Sequence, residues 1–124
     1  MNWFQQKGDL PTPSQVALTL MTVSRELDDL TRELKTLDED YVEKKIAFES
    51  AYARAFLTGE GSVDARKQGA VLATSDQKFA MELAESRVRS TRAALATLRD
   101  RIEVGRSLGA AVRSELIATS GMAA

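Results

Sequence analysis

A chain of 124 residues with 44% hydrophobic and 28% charged side chains has the makings of one globular or coiled-coil domain and is too apolar for a disordered one. Seventeen basic residues against 18 acidic ones leave a net charge of −1, which argues against a general polyanion binder. Neither cysteine nor histidine occurs, which removes disulfides, thiolate chemistry, the commonest general base and the commonest metal ligand together.

The first twelve residues, MNWFQQKGDLPT, read as a flexible N-terminal arm. No basic stretch followed by an apolar run marks them as a signal peptide. Thr12 suits an N-cap, Pro13 a first helical residue and Gln15 the reciprocal partner of a capping box. A first helix is then expected over 13–57. Its apolar positions Val16, Leu20, Val23, Leu27, Leu30, Leu34, Leu37 and Tyr41 alternate spacings of four and three, the signature of a coiled-coil seam. Lys44 interrupts the seam, and Phe48, Ala51 and Ala55 resume it.

Residues 58–62, Thr-Gly-Glu-Gly-Ser, read as a turn, with Gly59 as the left-handed cap and Ser62 as the next N-cap. A second helix is expected over 63–118, with a seam at Met81, Ala84, Val88, Thr91, Leu95, Leu98, Ile102, Gly105, Gly109, Val112 and Leu116. Residues 119–124 should fray. Two long helices joined by so short a turn predict an all-α antiparallel coiled-coil hairpin with the second helix longer, and Gly69 and Gly105 are its candidate bends. No run of about 18 apolar residues is available to span a membrane.

Folding the chain about 59–62 places Val16 opposite roughly residue 104, so 106–118 overhangs the first helix. That overhang is half apolar through Leu108, Val112, Leu116 and Ile117. Leu108, Val112 and Leu116, with Trp3 and Phe4 of the arm, are therefore the expected self-association residues, and a thin hairpin core favours a homo-oligomer. Gly105 and Gly109 fall on seam positions, where the choice lies between a poorly filled core and a notch for an aromatic ring or a second backbone.

The second helix carries Arg92, Arg99, Arg106 and Arg113 at heptad intervals, each at the e position beside the seam. The first helix offers Ala17, Ser24, Thr31 and Asp38 at its own e positions, so three of the four have no charge to answer an arginine. Glu33 is placed to meet Arg87, and Glu103 to meet Arg99 or Arg106. Helix 13–57 has six basic and nine acidic residues, net −3, and helix 63–118 has ten and seven, net +3. The arginines can cover the seam with their stems, meet the acidic helix of another copy, or track an acidic partner or nucleic-acid backbone together with Arg89 and Arg101.

No catalytic or cofactor-binding constellation emerges. The acidic group Asp38, Glu39, Asp40 and Glu43 reads as solvated helix face, because no second carboxylate set stands at matching height. The Gly-Glu-Gly turn lacks the Gly-Lys-Ser/Thr ending of a phosphate loop. An enzyme is not expected, and neither a metal nor a cofactor is implied.

The segments AYARAFLTGEGSVDARKQGAVLAT and FAMELAESRVRSTRAALATLRDRIEVGRSLGAAVRSEL resemble a group of small helical proteins encoded by bacteriophages and prophages. The resemblance covers about residues 25–117 and rests on AYARA before the turn, RKQ after it and RIEVGRS near the end. Such proteins tend to neighbour phage recombination and single-strand-DNA genes. The resemblance implies a non-catalytic accessory in phage DNA metabolism, working in the bacterial cytoplasm through a phage or host protein or through nucleic acid.

Overall fold

The computed structural model describes residues Leu10–Ala123, and all regular structure among them is helical: α1 (Pro13–Thr58), α2 (Val63–Ala73) and α3 (Ser75–Ala123). The all-α expectation holds, with three helices in place of two. The described residues form two compact units, one of 10–31 with 94–123 and one of Arg32–Ala93.

In the first unit the opening turn of α1 is closed by its own side chains. The Thr12 N–H donates to Gln15 Oε1 at 2.8 Å, and the Gln15 N–H donates to Thr12 Oγ1 at 3.2 Å. Two otherwise orphaned donors are thereby satisfied at the end of a helix. Here α1 lies antiparallel to α3, with Val16, Val23, Leu95, Leu98 and Val112 buried along the seam. The register departs from a symmetric fold about 59–62. Val16 lies against Gly109, where a Cβ would come 3.4 Å from Val16 Cγ1, rather than against residue 104. The slip is five residues, about 7.5 Å along a helix. It brings α1 alongside α3 as far as Arg113 and so shortens the expected overhang.

In the second unit the connection after α1 is tighter than its glycines suggested. Gly61 alone has the left-handed φ, at 98°, whereas Gly59 donates its N–H to Phe56 O at 3.3 Å in a three-residue turn. Gly59 is therefore not the left-handed cap. Ser62 is the N-cap of α2, its Oγ accepting the Ala65 N–H at 3.2 Å. The end of α1 is closed from across the turn by Arg66. Its Nε donates to Phe56 O at 3.1 Å, its guanidinium reaches Leu57 O, and its Cζ stands 4.8 Å from the centre of the Phe56 ring. A cation on unpaired helix-end carbonyls is favoured by both hydrogen bonding and the helix dipole.

The second arm is interrupted at Thr74, while helix continues through both Gly69 and Gly105. Gly69 sits inside α2 with open space around it, and Gly105 sits inside α3. Thr74 leaves helical geometry at φ −115° and ψ 15°. Its hydroxyl donates to Ala70 O at 2.7 Å while its N–H donates to the same carbonyl at 3.1 Å. Ser75 Oγ donates to Leu72 O as well. Hydroxyls that reach back onto the preceding turn draw its carbonyls outward and bend the helix. Backbone pairing resumes at once, since the Lys78 N–H donates to Thr74 O at 3.0 Å. Ala70 and Thr74 are both buried, so the seam of α3 continues through the break on two small side chains. At its other end α3 runs to Ala123, past the expected stop at 118.

Two substitutions grade these contributions. Leu95→Ala removes a buried seam side chain and is expected to cost about 2–4 kcal/mol, against about 1 kcal/mol for loss of the cap in Ser62→Ala. Chemical denaturation followed by circular dichroism measures both, and a Leu95→Ala loss no larger than the cap's would contradict the seam.

Candidate interaction site

The arginines of α3 divide between the two units and have different surroundings in each. In the first unit, Arg106 donates to Glu103 Oε1 at 2.9 Å one helical turn away, with both side chains about 70% exposed. Arg99 and Arg113 make no ion pair or hydrogen bond among the described residues. Glu103 had two candidate arginines and took the one on its C-terminal side. Arg101 stands across from Glu26 on a shallow groove that also includes Leu18, Thr19 and Val23.

Arg106 and Arg113 flank a second groove, of about 200 Å³, whose other walls are Pro13, Val16, Ala17, Leu20, Gly105 and Gly109. The glycines thus open a notch beside the seam. Gly105 is buried and Gly109 half-buried, and the space a larger side chain at 109 would take is the groove itself. Among the described residues the groove has two cationic walls and no anionic one.

The expected self-association residues fall in different environments. Val112 is buried and Leu108 half-buried inside the first unit, so neither belongs to a bare overhang. Leu116 and Ile117 remain exposed. Trp3 and Phe4 lie outside the described residues.

In the second unit Arg92 is answered across the helices. Its guanidinium stands 3.4 Å from Asp38 Oδ1, the acidic side chain among the first-helix e positions. Arg89 pairs with Glu85 at 3.3 Å, and Lys44 with Asp40 at 3.6 Å. The expected Glu33–Arg87 pair does not form, and neither residue has another partner among the described ones. With Asp38 meeting Arg92, the register carries Arg87 beyond the reach of Glu33. Asp38 and Asp40 of the acidic group are thus engaged by cations. Among the described residues no cluster of three or more Asp, Glu, His or Cys side chains is placed to hold a metal ion, and no helix is long and apolar enough to cross a membrane.

Sequence reasoning missed two features of this unit. Arg66, inside the RKQ motif, is a capping residue; an aromatic and unpaired carbonyls just before a glycine turn, with an arginine just after, were its signal. The other is a set of apolar side chains turned away from the seam. Phe79 and Leu83 are 67% and 41% exposed one turn apart on α3, and Val42 and Ile46 are 52% and 58% exposed one turn apart on α1. The four fall outside the alternating 3/4 spacing, so the seam pattern passes over them.

Set beside family models, curated proteins and solved structures, the chain matches none of them.

The Asp38–Arg92 pair is exposed on both sides, at 42% and 64% of side-chain area, so solvent screens it. A double-mutant cycle with Asp38→Asn and Arg92→Gln is expected to return a coupling below about 1 kcal/mol, falling with added salt. A larger coupling, insensitive to salt, would mark Arg92 as structurally committed.

Proposed function

We propose that this protein is a non-catalytic interaction module that self-associates through its outward apolar helix faces and serves as an accessory in phage DNA metabolism in the bacterial cytoplasm. The observation that carries self-association is the exposure of Val42, Ile46, Phe79 and Leu83 in turn-spaced pairs on the sides of the helices away from the seam. Paired apolar side chains one turn apart make a stripe that another helix can cover. The charge division between an acidic first helix and a basic second arm supports an arrangement in which α1 of one copy meets α3 of another. The phage setting rests on the resemblance of residues 25–117 alone.

Light scattering coupled to size-exclusion chromatography is expected to give a dimer or larger for the full chain, and a shift toward the 13.6 kDa monomer for Ile46→Ser combined with Phe79→Ser. A full chain that stays monomeric at high concentration would sink the reading. Val112 is unsuited to this test, because its burial within the first unit would confuse unfolding with dissociation.

A second reading is favoured by one observation, the absence of any ion pair or hydrogen bond to Arg99 and Arg113 among the described residues. Arg99 and Arg113 stand about 21 Å apart with Arg106 midway between them, and guanidinium groups spaced along one helix face suit phosphates. Anisotropy of labelled single-stranded DNA at low and moderate salt tests it. Salt-sensitive micromolar binding lost when Arg92, Arg99, Arg106 and Arg113 are all changed to glutamine supports nucleic-acid contact, and no binding at either salt counts against it.

A further inference from the structure

We propose that the groove between Arg106 and Arg113 is a docking site for an extended segment of a partner protein that presents bulky apolar side chains between two carboxylates three residues apart. The inference rests on the reading of the protein as an interaction module but not on its self-association.

The floor fixes the apolar part of the ligand. Val16, Leu20, Ala17 and Pro13 of α1 face Gly105 and Gly109 of α3, and among the described residues the only polar side chains on the walls are the two arginines. A volume of about 200 Å³ suits one or two side chains rather than a helix. At Gly109 the nearest described atom to a Cβ would be Val16 Cγ1 at 3.4 Å, so the opening exists because no side chain fills that seam position.

The walls fix the charged part. Arg113 makes no ion pair or hydrogen bond among the described residues, and Arg106 holds only the exposed Glu103. They stand one heptad apart, a rise of about 10 Å along α3. A chain in the extended polyproline II conformation covers about 9 Å in three residues and returns to the same side, so carboxylates at positions one and four would meet both guanidiniums while a side chain between them reaches the floor. Carboxylate on guanidinium forms strong, directional, charge-assisted bonds. A nucleic-acid strand would also satisfy the arginines, but the aliphatic floor offers no aromatic surface for a base to stack on, and Asp100 and Glu103 lie close by in sequence.

The probe is a fluorescein-labelled peptide, GSDLFDSG, titrated with the full chain. Its controls are GSNLFNSG, GSDAADSG and an eight-nucleotide oligo-dT. The acidic apolar peptide is expected to bind at least tenfold tighter than all three controls, and more weakly as salt rises. Arg113→Gln and Arg106→Gln should each weaken it about tenfold, while Lys67→Gln, the same charge change on α2, leaves it unaltered. Gly109→Leu should abolish binding by filling the groove, with circular dichroism reporting whether that variant folds; the arginine variants decide the matter if it does not.

Absence of binding at millimolar peptide overturns the proposal, as does equal binding of the asparagine peptide. Tighter binding of oligo-dT assigns the groove to nucleic acid, and a tenfold gain on removing residues 1–9 assigns it to the chain's own N-terminus; either overturns it. The mass measurement of self-association is independent of all four, so failure here and failure there are told apart.

Discussion

Two helices laid side by side can each bury only one narrow face, and that geometric limit governs the whole molecule. Seam side chains at a and d positions point into the partner helix, while everything else stands at the edge or in water. The consequence is visible in α1, where Val16 and Val23 are buried but Leu27, Leu30, Leu34 and Leu37 are only half-buried. Among the described residues no large side chain is fully enclosed. Stability therefore comes from many partial burials, helped at the ends by caps such as Thr12 with Gln15, Ser62, and Arg66 on the last carbonyls of α1.

The same limit explains why charge and small residues matter so much at the seam's border. An arginine at an e position lies where the cover is thin, with its stem over apolar surface and its head in solvent. Whether the head finds an acid depends on the opposite helix. Arg92 meets Asp38, whereas Arg99 and Arg113 find no acid among the described residues. Where the seam itself runs short of volume, the outcomes differ. Ala70 and Thr74 let the seam pass through the break between α2 and α3, and Gly105 with Gly109 opens it into a groove. One pattern of small residues thus closes a gap at one place and makes a cleft at another, and what decides is whether the opposing side chains come in far enough to fill it.

Exposed apolar pairs are the other product of a two-helix cross-section. Val42 with Ile46 and Phe79 with Leu83 stand exposed off the seam of their own unit. Side chains of this size left in water in turn-spaced pairs are the usual mark of a surface that another element covers.

The one-dimensional pattern alone determined the elements whose physics is local or strictly periodic. Alternating spacings of three and four specified the seam of both arms, because a helix returns to one face at that period whatever surrounds it. Thr12-Pro13-Ser14-Gln15 specified a start, and Ser62 a second, because a cap needs only its own turn. The tertiary structure decided everything that depends on what stands opposite. The pairing of Val16 with Gly109, the answering of Arg92 by Asp38 and not of Arg87 by Glu33, and the reach of Arg66 onto α1 all follow from a register that no single helix contains. So does the break at Thr74. Thr19, Thr22 and Thr31 bond the carbonyl four residues back without breaking α1, so what sets Thr74 apart is that its hydroxyl makes that bond buried at the seam.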